Sequence, residues 1–155
     1  MSRRGRPGLR WQRPAARLLV AGTVTRDLPA LPEGVSGLGV VGDLGPLYAR
    51  AGVVISPLRL GSGLKLVEAA GHGNAVVVTA ATLQGVEAEM DGAVRAADEP
   101  AVFAAEMASL LDDPEARRAL GSGRSRRRGP TSSHRRRTAS SSGASASAAV
   151  PGRGP

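Results

Sequence analysis

Two runs of β-branched residues, Val53-Val54-Ile55 and Val76-Val77-Val78, constrain this chain more than any other feature. A strand with one wet face alternates apolar and polar residues. A strand that is apolar at every position has to be covered on both faces. Gly52 and Pro57 bound the first run, and Gly71 and Gly73 precede the second. Shorter apolar runs occur at residues 18–21, ending at Gly22, and at residues 38–41.

Segments with helical spacing lie between and after these runs. Leu44, Leu47, Tyr48 and Ala51 recur on one face behind Asp43 as N-cap, with Pro46 in the first turn where its missing N–H has no partner. Residues 64–70 read as a helix that Gly71 and Gly73 terminate. Phe103, Met107, Leu110 and Leu111 share a face behind Asp98 as cap. Asp113-Pro114 opens a last helix, which Leu120-Gly121 ends. Residues 93–97 read as a short strand, and residues 80–92 carry no clear period. Apolar strands alternating with helices predict the α/β class: a Rossmann-like parallel sheet with helices on both faces.

The formal net charge of +8 is carried by the ends of the chain. Residues 1–17 hold six Arg and no acid, and residues 121–155 hold eight Arg and no acid. Residues 18–120 hold seven basic residues and all 13 acids, a net of −6. The expected organisation is therefore a basic, disordered arm over 1–17, a domain over 18–121, and a disordered Arg/Ser/Ala-rich tail over 122–155. Basic tails of this kind make weak, nonspecific contact with nucleic acid or an anionic membrane, which gives one alternative function. Zero Cys excludes disulfides and thiol chemistry. No apolar run reaches the roughly 20 residues of a membrane span or the roughly 7–15 of a signal-peptide core. A cytoplasmic location is expected on these grounds.

In an open α/β sheet, ligands bind outside the carboxyl ends of the strands. At one such end Ile55-Ser56-Pro57 leads through Gly61-Ser62-Gly63 into the helix that starts near Leu64. Glycines let backbone approach a ligand closely, and free N–H groups at a helix N-terminus suit a phosphate or diphosphate. Lys65, the only lysine in the chain, stands at this helix start and can place a point charge on a phosphate oxygen. Glu68 follows within one turn, and a carboxylate can accept from two neighbouring ribose hydroxyls.

Other motifs carry less. Gly37-Leu38-Gly39-Val40-Val41-Gly42 matches the dinucleotide fingerprint, but no strand precedes it and no acid stands about 20 residues beyond. His72 and His134 lack partners at metal-ligand spacing. Glu87, Glu89 and Asp91 read as a solvated acidic face. Neither a metal nor a cofactor is expected, and no residue is assigned a catalytic role.

The blocks Val41-Gly42-Asp43-Leu44, Leu47-Tyr48-Ala49-Arg50-Ala51, Val53-Val54-Ile55-Ser56-Pro57-Leu58, Gly61-Ser62-Gly63-Leu64-Lys65, Leu66-Val67-Glu68-Ala69-Ala70 and Ala75-Val76-Val77-Val78-Thr79 occur in this order. Gln84-Gly85-Val86-Glu87 and Leu110-Leu111-Asp112-Asp113-Pro114 follow. Over roughly residues 18–121 this series is similar to the C-terminal domain of family-four glycosyltransferases of GT-B architecture. The resemblance implies the nucleotide-sugar-binding half of a sugar transferase, with a UDP- or GDP-linked donor and an unknown acceptor. It implies diphosphate contact at Gly61, Ser62, Gly63, Leu64 and Lys65, ribose contact at Glu68, and the base near Val41 and Gly42. Leu60 stands where many members carry an earlier glutamate. A non-catalytic nucleotide-binding remnant is the second alternative.

Overall fold

A computed structural model of the chain describes residues 9–58, 64–125 and 147–151. Strands β1 (Leu18–Ala21), β2 (Val35–Gly39), β3 (Ala51–Ser56), β4 (Ala75–Val78) and β5 (Val94–Ala96) point the same way. A sixth strand, β6 (Ser147–Pro151), runs antiparallel between β1 and β3, so the six-stranded sheet has the order β2-β1-β6-β3-β4-β5. Without β6 the parallel strands read 2-1-3-4-5, a doubly wound order.

The apolar runs place two cores back to back. Val53, Ile55, Ala75 and Val77 face one side, where Phe103, Met107 and Leu110 of α6 (Pro100–Asp112) meet them. Val54, Val76 and Val78 face the other, under Tyr48 of α2 (Gly45–Arg50) and Leu66, Ala69 and Ala70 of α3 (Leu64–Gly71). Val53, Val76, Val77 and Val78 are each 0% exposed. Each such side chain contributes roughly 1.5–3 kcal/mol on burial. The fold is therefore the Rossmann-like α/β sheet that the unbroken apolar runs predict.

Local signals set several element ends. Leu44 takes the cap position of α2 expected of Asp43, and Asp43 Oδ1, one residue earlier, accepts from the Gly45 N–H at 2.8 Å. The Glu115 and Ala116 N–H groups donate to Asp113 Oδ1 at 3.0 and 2.9 Å at the start of α7 (Pro114–Ser125). Gly73, at φ +80°, turns the chain after α3. Asn74 is buried there and donates from Nδ2 to the Tyr48 carbonyl at 2.8 Å, tying the turn to the end of α2.

The structure departs further from the sequence reading in five places. Residues 9–17, expected in the disordered arm, include a helical turn, α1 (Leu9–Gln12). Leu9 and Ala16 pack on the α6 core and Arg13 pairs with Asp112, so apolar burial and an ion pair hold this segment. Residues 1–8 of that arm lie outside the described residues. The strand expected at 38–41 is Val35–Gly39 instead, because the ladder pairs Leu18 with Val35 and leaves Val40 62% exposed.

Asp98 does not cap α6, whose cap position is Glu99. Its Oδ1 accepts instead from the Ala80 N–H at 2.8 Å, at the start of α4 (Ala80–Leu83). Within the expected tail, residues 122–125 continue α7 and residues 147–151 form β6, whose backbone fills the ladder between β1 and β3 and whose Ala149 is buried. The rest of the 122–155 tail lies outside the described residues.

The fifth departure is Gly121, which does not end α7 but lies within it. A Cβ there would overlap the Gly73 carbonyl oxygen, and one at Gly123 would come within 2.6 Å of the Gly92 carbonyl oxygen. Two glycines on opposite sides of α7, about 200° apart, let this end of the helix pass between the turns that lead into β4 and β5. Gly121→Ala is expected to cost about 1–3 kcal/mol by overpacking. Gly71→Ala, where nothing lies within 4 Å, should be neutral or stabilise by roughly 0.5–1 kcal/mol. Urea unfolding midpoints of the two variants check the opposite signs.

Candidate functional site at the carboxyl edge

Strands β3, β4 and β5 end side by side, and their exits carry Ser56-Pro57-Leu58, Thr79 and Ala97-Asp98. Beyond Leu58 the described chain resumes at Leu64, where α3 starts. The predicted diphosphate residues Gly61, Ser62 and Gly63 lie outside the described residues. Leu64 opens α3 as expected, and Lys65 follows in its first turn.

Lys65 and Glu68 share one exposed face of α3. Their side chains are 48% and 41% exposed, and Lys65 Nζ donates to Glu68 Oε2 at 3.3 Å. Surface pairs of this kind contribute about 0–1 kcal/mol. A ligand with stronger claims on either group can displace the contact at little cost. The cation and the carboxylate are thus brought together within reach of one ligand.

Val41 and Gly42 follow β2, which is separated from β3 by β1 and β6. At about 4.8 Å per strand spacing they stand roughly 14 Å from the end of β3. One of those spacings comes from β6. Gly37 and Gly39 of the glycine-rich run lie inside β2 and do not form a strand-to-helix turn.

Thr79 and Thr82 form a device that the sequence reading missed. Thr82 is 1% exposed, and its Oγ1 donates to the Ser56 carbonyl at 3.0 Å. Thr79 Oγ1 donates to the Leu58 carbonyl and lies 2.9 Å from Thr82 Oγ1. Two hydroxyls thereby clamp the exit of β3 against the exit of β4, and fix where the loop toward α3 begins. The Thr-x-x-Thr spacing after a strand was the available signal, since a threonine beside a helix start commonly bonds backbone.

Glu87, Glu89 and Asp91 are exposed around α5 (Glu87–Met90). His72 lies after α3, its ring 5.0 Å from that of Tyr48. Among the described residues no three His, Asp or Glu side chains gather as a metal-binding group. Among the same residues no helix is long and apolar enough to cross a membrane.

Thr82→Val keeps the shape and removes the donor to the Ser56 carbonyl. It should lower stability by about 1–3 kcal/mol, read from thermal unfolding, and the buried Thr82 hydroxyl makes this a larger loss than Thr79→Val.

The sheet order, the helices on both faces and the strand-to-helix exit at β3 agree with the comparison to known families. The model of the family described as "Glycosyl transferases group 1" matches residues 6–113, well over half of the chain. No curated protein and no solved structure gives a significant match. The chain belongs to the group 1 glycosyl transferases.

Proposed function

We propose that this chain is the donor-binding half of a GT-B, family-four glycosyltransferase, and that it holds a UDP- or GDP-linked sugar at the carboxyl edge of its sheet. The observation that carries this reading is the Lys65–Glu68 pair. A lone lysine and a carboxylate, both solvent-accessible, stand on the first turns of the helix that follows the most buried strand pair. That position combines helix N–H groups, a point positive charge and an acceptor for hydroxyls.

In this reading the diphosphate lies on the Gly61–Gly63 segment and the Leu64 and Lys65 end of α3, and Glu68 accepts from the ribose hydroxyls. The base reaches toward Val41 and Gly42. The acceptor hydroxyl attacks the anomeric carbon while the bond to the diphosphate breaks. Negative charge grows on the departing diphosphate, and the helix amides and Lys65 stabilise it there. Family membership supports sugar transfer in general. The nucleotide and the half-site assignment rest on the residues just named.

Lys65→Ala and Glu68→Ala should each weaken UDP or GDP binding by about tenfold or more, since a hydrogen bond to a charged group is worth about 1.5–3 kcal/mol. Their melting temperatures should stay close to the parent value, because only an exposed pair is lost. Calorimetric titration checks both, and unchanged affinity in both variants contradicts the assignment.

A further inference from the structure

On the α6 side of the same edge, a cavity of about 270 Å³ opens between the exits of β3, β4 and β5 and the first turns of α6. Its walls are apolar: Leu9 of α1, with Phe103 and Met107 of α6, and Ala104 between them. Pro57, Thr79 and Asp98 stand at its strand-exit rim. We propose that this cavity binds a small aromatic or alicyclic alcohol, with the ring among Phe103, Ala104 and Met107 and the hydroxyl donating to Asp98.

Size sets the first part of this assignment. A cavity of about 150 Å³ lined by apolar side chains accepts benzene. The larger volume here takes such a ring together with a short chain. Mostly apolar pockets with a few convergent polar groups are the usual form of a small-molecule site.

Asp98 sets the second part. One carboxylate oxygen accepts from the Ala80 N–H at 2.8 Å, and among the described residues no cation pairs with this side chain. Asp98 also stands two residues ahead of α6. The second oxygen is thus an open acceptor, and a ligand O–H meets it with a charge-assisted hydrogen bond. Thr79 is already engaged with the Leu58 carbonyl and Thr82, which leaves Asp98 as the polar handle. The inference does not depend on the donor site, because none of these residues belongs to it.

Titration of the full chain with 3-phenyl-1-propanol and with propylbenzene, followed by amide NMR shifts, tests the proposal. The alcohol should bind at least about fivefold tighter than the hydrocarbon, with shifts centred on residues 98–107. Asp98→Ala should abolish that preference and leave hydrocarbon affinity within about twofold, since the Ala80 N–H it frees is exposed to water. Ala104→Leu should weaken both probes at least about tenfold by filling the cavity. Absence of binding by the parent chain, shifts elsewhere, or an alcohol preference that survives Asp98→Ala would overturn the assignment. The Asp98→Ala comparison stands even where Ala104→Leu fails to fold.

Discussion

Everything in this molecule is arranged around two strands that cannot tolerate water on either face. β3 and β4 present Val53, Val54, Ile55, Val76, Val77 and Val78, all buried. Covering them takes a layer of α2 and α3 on one side and of α6 on the other. With both faces of β3 and β4 closed, this part of the sheet is open to a ligand only at its ends. Chain direction then decides which end matters, because parallel strands all deliver their loops and helix N-termini to the carboxyl edge. The placement of chemistry is a consequence of burial.

Where the sequence was legible, the reason was local and physical. Unbroken β-branched runs require two-sided cover, and β3 and β4 form at those runs. Asp113 followed by Pro114 caps α7 because its carboxylate reaches two free amides. Where the reading went astray, a distant partner decided. Asp98 has the look of a cap for α6, yet its oxygen goes to Ala80 across the sheet end. Gly121 has the look of a stop signal, yet it is a packing residue chosen by the Gly73 carbonyl. Ser147–Pro151 has no strand pattern of its own, and its backbone pairs on both sides complete the ladder.

The candidate site divides the same way. That Lys65 and Glu68 fall close together on the first turns of a helix after a strand follows from their spacing, and the structure has them in contact there. The Thr79–Thr82 clamp shows in sequence only as a Thr-x-x-Thr spacing, because the carbonyl groups it holds lie 21 to 26 residues earlier in the chain. β6 adds a geometric constraint of its own. It widens the gap between β1 and β3 by one strand spacing, about 4.8 Å, at the point where a doubly wound sheet usually receives its ligand. A nucleotide that spans from α3 to Val41 and Gly42 has to bridge that gap.

The central claim is that nucleotide binds at the carboxyl edge, beside the exit of β3. Amide hydrogen exchange with and without saturating UDP or GDP measures this most directly. The account predicts slowed exchange at the start of α3 and across residues 79–82, with residues 73–75 and α7 at the opposite edge unchanged. Protection confined to that opposite edge, or no change anywhere at saturation, would contradict it.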